Sequence, residues 1–119
     1  MTTTPTAAPA QFYSATSFLD AWQRGMIIAG PQFFGDGRAP GLYSSLYDMA
    51  PDYDMVQRAM GYLSSGEALF LAAMYSFYNP TTGKKLLAKL DGAPGGLAAG
   101  MDESRRRVIA DLLISYAGW

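Results

Sequence analysis

Residues 64–80 constrain the fold more than any other stretch of this chain. Ser64, Ser65, Gly66 and Glu67 open it, and Asn79-Pro80 closes it. Between them Ala68, Leu69, Phe70, Leu71, Ala72, Ala73, Met74, Tyr75 and Phe77 leave no polar stripe. Ser64 and Glu67 stand at S-x-x-E spacing, at which each side chain can bond the other's backbone N–H at a helix start. Pro80 brings no amide hydrogen and biases Asn79 toward extended backbone. The spacing predicts a helix over 65–78 that is apolar nearly all round. It falls short of the ~20 residues needed to cross a bilayer. A helix of this kind is buried among others. Ala72 and Ala73 let a neighbour approach closely. Two rivals are a single longer helix kinked at Gly66, which costs about 1 kcal/mol, and a dimer interface as the cover for the apolar surface.

The flanking segments supply elements to surround it. A helix is predicted over 17–29, opened by Ser17 and Asp20, with Phe18, Leu19, Trp22, Met26 and Ala29 on one face and Gly30-Pro31 as its stop. A loop over 31–39 turns at Gly35-Asp36-Gly37 and carries Phe33 and Phe34, two rings expected to tuck into the core, with a hydrophobic clip for a ligand or partner as the rival reading. Further helices are expected over 41–49, 52–63, 82–90 and 102–117. The last presents Val108, Ile109, Leu112, Leu113 and Tyr116 as an inward stripe. Residues 93–100, APGGLAAG, are expected to be a flexible loop. No repeat and no strand-like alternation is visible. The expected fold is all-α, a single compact domain of five to six short helices around the central apolar helix at about 65–78. That domain is expected over 13–119, with the Thr/Pro/Ala-rich residues 1–12 as a flexible tail lacking the basic and apolar regions of a secretory signal.

Composition narrows the chemistry. The 119 residues include no Cys and no His, so disulfides, thiolate nucleophiles, Ser–His–Asp triads and His-ligated metals have no parts to work with. Charged residues are 16% of the chain and the net charge is −1, which leaves little polar cover for a small surface and no bulk attraction to phosphate or anionic lipid. The lack of Cys leans toward a reducing compartment, and the expected setting is a cytoplasm of bacterial type.

Remaining candidates are few. Asp48, Asp52 and Asp54 resemble a fragment of a hard-cation site, but the further ligands and glycine of a calcium loop are missing, and carboxylates at a helix start serve its dipole. Glu67 is explained by the capping box. No cofactor, metal site or catalytic motif is expected, so the chain reads as a non-enzyme. Arg105-Arg106-Arg107 is the one charge run. Its residues diverge by about 100° each on a helix, and Asp102–Arg106 and Glu103–Arg107 have the spacing of exposed ion pairs. Lys84, Arg105 and Arg106 would be the phosphate contacts of a weak nucleic-acid-binding protein, an alternative the charge balance makes unlikely.

The aromatic and methionine content points elsewhere. Eight Tyr and seven Met are residue types enriched at interface cores. The favoured expectation is a helical protein-interaction module that meets a protein partner or its own copy through Phe33, Phe34, Tyr43, Tyr47 and Tyr62. A third expectation is a small apolar-ligand carrier with a pocket lined by Trp22, Phe70 and Tyr116.

Overall fold

The capping box forms as the sequence requires. In the computed structural model, which describes residues 15–119, Ser64 Oγ accepts from the Glu67 N–H at 3.3 Å and Glu67 Oε1 accepts from the Ser64 N–H at 3.0 Å. The helices of the described residues are α1 (Ala15–Ala29), α2 (Tyr53–Ala59), α3 (Ser65–Tyr78), α4 (Pro80–Ala88), α5 (Pro94–Gly100) and α6 (Glu103–Ser115). No strand occurs among them, only an isolated antiparallel bridge between Phe34 and Pro51. The expected tail at 1–12 lies outside the described residues.

Helix α3 is the hub. Ala68 through Tyr75 are all buried, and α3 packs against each of the other five helices. Its most extensive partner is α4, while α1 and α6 pair with each other. Gly25 marks the crossing of α1, α3 and α6: a Cβ there would lie 2.6 Å from Met74 Cε and 3.1 Å from Val108 Cγ1. One continuous core joins Trp22, Met26, Phe33, Phe34, Phe70, Met74 and Leu112. The described residues are thus all-α and form one domain.

Several boundaries differ from the sequence expectation, each for a physical reason. Helix α1 already runs at Ala15, so Ser17 is inside it, and Asp20 pairs with Arg24 instead of capping. The helix expected over 41–49 is replaced by two 3-10 turns, Pro40–Leu42 and Leu46–Met49, joined through extended Tyr43 and Ser45. Its C-terminal end is instead tied outward to other elements: Trp22 Nε1 donates to Met49 O at 3.0 Å and Gly35 N to Ala50 O at 2.8 Å. Helix α2 stops at Ala59, and residues 60–63 close in turns onto Arg58 and Ala59. Helix α4 begins at Pro80, because Asn79 ends α3 and caps α4, its side chain accepting from Thr82 N at 3.1 Å. Residues 94–100, expected as loop, are helical. Tertiary contact overrides composition there: Leu97 packs on the core, and Gly96 and Gly100 lie against Asp91 and Leu69.

Candidate functional site

Ring contacts run unbroken from the centre of the molecule to its surface. Trp22 is fully buried and meets Phe34 edge-on at 5.6 Å between centroids. It also meets Trp119 at 4.7 Å. Trp119 in turn contacts Phe18 at 6.2 Å and Tyr78 at 5.3 Å. Tyr78 reaches Tyr75 at 5.7 Å, and Tyr75 reaches Tyr53 at 6.0 Å. On the other side, Tyr116 meets Phe18 at 5.8 Å and Phe77 at 6.0 Å. Most of these pairs are edge-to-face, the arrangement in which the positive rim of one ring faces the negative face of another.

Four elements place the outer members. The final turn of α3 carries Phe77 and Tyr78 just before the Asn79 stop. Tyr53 is the first residue of α2, set by the Asp52 cap, whose carboxylate accepts from Met55 N at 3.2 Å. Tyr116 leaves α6 in an extended conformation. Gly118, at φ +99°, turns the chain so that Trp119 folds back on Trp22. The outer rings stay open: Tyr116 is 46% exposed, Tyr53 40% and Tyr78 36%, with Trp119 half-buried between them. Leu113 and Ile114, on the last turn of α6, add aliphatic surface near Tyr116. Burial raises the Tyr75 phenol above its ordinary value, so it remains a neutral hydroxyl. The arrangement offers ring faces, ring edges and hydroxyls to an opposing surface.

The residues singled out from sequence are scattered. Phe33 and Phe34 are completely buried, which corrects their assignment to a contact surface: the 30–52 segment folds both rings into the core, and Asp52 N bonds Phe33 O at 2.8 Å behind them. Tyr43 is half-buried and organises its own loop. Its hydroxyl accepts from Arg38 N at 3.0 Å and Asp36 N at 3.2 Å and donates to Asp36 Oδ1 at 2.8 Å. The Arg38 guanidinium lies 4.7 Å from the centre of its ring. Beside the Arg38 side chain and the Tyr43 hydroxyl, the Asp36 carboxyl is held below its ordinary value. Tyr47 and Tyr62 are 69% and 67% exposed, but neither ring joins the aromatic run among the described residues.

The basic side chains do not assemble. Helix α4 packs on α3 and not alongside α6, so Lys84 is not brought beside the arginines. Arg105 is drawn back onto Asp102 at 2.8 Å and the Phe70 ring at 5.9 Å. Arg106 donates to Ala98 O at 3.3 Å, and Arg107 pairs with Glu103 at 2.9 Å. Asp102 pairs with Arg105 and not with Arg106, because it sits outside the helix as its cap. Asp48 accepts from the Ser44 and Ser45 hydroxyls, and no group of three metal-binding side chains occurs among the described residues. Of the three residues expected to line an apolar pocket, Trp22 and Phe70 are fully buried, and Tyr116 packs on Phe18 and Phe77.

No known protein family, curated protein or solved structure matches the chain. The outer aromatic surface was not assigned from sequence. Tyr116 was expected to point inward, and Trp119 had no role. The available signal was local: Tyr75 and Tyr78 share a helix face at the end of an all-apolar helix, and Gly118 supplies a turn before a large ring. That these ends meet Tyr53 depends on packing.

Proposed function

We propose that this chain is a non-enzymatic, cytoplasmic helical interaction module of bacterial type. It engages a protein partner or its own copy through the surface formed by Tyr53, Tyr78, Tyr116 and Trp119. The observation that carries this reading is the continuity of the rings from Trp22 to the surface. Anchored on a packed core, these side chains are already ordered, so contact costs little further side-chain entropy, and Tyr and Trp are the types that dominate interface energetics. Leu113 and Ile114 extend the surface with apolar area. No helix among the described residues is long and apolar enough to cross a membrane.

Sedimentation equilibrium over a concentration series tests the self-association arm. A dimer is expected to dissociate on Tyr116→Glu, whereas Arg58→Glu, on the exposed face of α2, leaves it intact. If the wild type stays monomeric, a photo-crosslinking amino acid at position 116, compared in cells with one at position 58, tests the heterologous arm. Specific adducts from position 116 alone support the reading. A monomer with no position-specific adduct ends it.

A further inference from the structure

A second surface feature lies away from the aromatic run. A groove of about 390 Å³ opens between the end of α3, helix α4 and the connection into α5. Its walls are Ser76, Pro80, Leu87, Ala88 and Ala93, with Lys84 at the side and Gly92 completing the rim. Two glycines shape it. Gly83 presses α4 onto α3, since a Cβ there would lie 2.4 Å from Ser76 Cα, and the hollow opens beyond that contact toward Leu87. Gly92 lies against Leu87, where a Cβ would approach its Cβ to 2.5 Å. The volume lies in the range of small-ligand sites, ~300–1,000 Å³.

Charge decides the ligand class. Lys84 is the single ionisable group in the lining, and no ion pair engages it among the described residues. Lys85 and Lys89 on the same helix are likewise outside any ion pair there, against the one carboxylate of Asp91 beside Gly92. The Ser76 hydroxyl donates to Ala73 O at 2.6 Å, so its proton is already engaged and Lys84 supplies the charged contact. An apolar trough with one lateral ammonium complements a small molecule with one anionic end and an apolar body. We propose that this groove binds medium-chain carboxylates, with the carboxylate at Lys84 Nζ and the chain along Pro80, Leu87, Ala88 and Ala93.

The test is a titration of the isotope-labelled full chain, followed by ¹H–¹⁵N correlation spectra, with sodium octanoate and with 1-octanol as the uncharged counterpart. A ligand of this size in an open groove is expected to bind with a dissociation constant on the order of 1 mM. Shifts should be confined to residues 76–93. In Lys84→Gln the preference for octanoate over octanol should fall about three- to five-fold, the scale of one exposed ion pair. Ala88→Trp fills the trough from an exposed position and should abolish the shifts while the rest of the spectrum is retained. The proposal is overturned by shifts centred elsewhere, by no saturable shift up to 10-fold above the expected constant (about 10 mM), by an unchanged octanoate preference in Lys84→Gln, or by undiminished binding in Ala88→Trp.

Discussion

Residues 30–52 and 91–101 are both rich in glycine and proline, yet they are held in opposite ways. The first contains Gly30, Pro31, Gly35, Gly37, Pro40, Gly41 and Pro51 and forms no regular α-helix. It nevertheless buries Phe33, Phe34, Pro40, Met49 and Pro51 and is tied to α1 through Trp22 and to itself through Gly35 and Asp52. The second contains the regular helix α5, but none of its seven residues is buried and its cap residue Ala93 offers no side-chain bond. Each buried large apolar side chain is worth about 1.5–3 kcal/mol, and each long-range hydrogen bond about 1 kcal/mol. A helix this short is marginal by itself, well below the ~12–15 residues at which isolated helices begin to persist. Regular geometry and burial are therefore separate properties here: buried rings and long-range bonds hold the irregular segment, while the regular one is held by the half-buried Leu97, by Met101 at its end and by the close approaches at Gly96 and Gly100.

The largest effect is expected from Phe34→Ala, which leaves a cavity beside Trp22 and should cost about 3–5 kcal/mol in urea denaturation. A cost below about 1 kcal/mol would show that the 30–52 segment is not anchored as described. Next comes Gly35→Ala. Gly35 has φ +53°, and a Cβ would lie 2.4 Å from Asp48 O, so strain and displacement should together cost about 1–3 kcal/mol. Tyr43→Phe removes the hydroxyl that gathers Asp36 and Arg38, with an expected loss of about 1 kcal/mol and faster amide exchange at Arg38.

The opposite sign is expected in α5. Gly95 faces open space, so Gly95→Ala should stabilise by about 0.4–1 kcal/mol and slow exchange at Leu97–Gly100. Wild-type amides there should exchange well before those of Gly35 and Asp52. The smallest effect is the pH response. The Asp36 carboxyl is depressed first by the Arg38 side chain, and the Asp102 carboxyl first by the Arg105 backbone N–H. A depressed carboxyl contributes stability above its unfolded value, about pH 4 for Asp, and loses it as pH falls through the lower folded value. The thermal midpoint should hold at neutral pH and drop as pH falls below about 4. Asp36→Asn should remove the acid-induced loosening at 34–43 and leave that at 101–106, and Asp102→Asn should do the converse.

Legibility followed the range of the interaction. Ser64 and Glu67 lie three residues apart and Asn79 precedes Pro80, so both ends of α3 were readable, as was its apolar surround. The position of α5 was not, because Gly95, Gly96 and Gly100 argue against a helix until Asp91 and Leu69 close around them. The inward stripe of α6 was read too wide: Val108, Ile109 and Leu112 are buried, but Leu113 falls on the open side of the arc and Tyr116 has already left the helix. Periodicity identifies an apolar arc and does not say which edge a neighbour covers.

The sequence by itself determined the class of fold, the central helix with its caps, and the absence of any Cys- or His-based chemistry, since these rest on residue identity and on contacts three or four positions apart. Tertiary structure alone decided that Tyr43 is a loop fastener, and that Tyr53, Tyr78, Tyr116 and Trp119 are linked to one another through the buried Tyr75 and Phe18. Those four residues are spread over positions 53 to 119. Their linkage depends on how α2, α3 and α6 pack, and no local spacing encodes that packing.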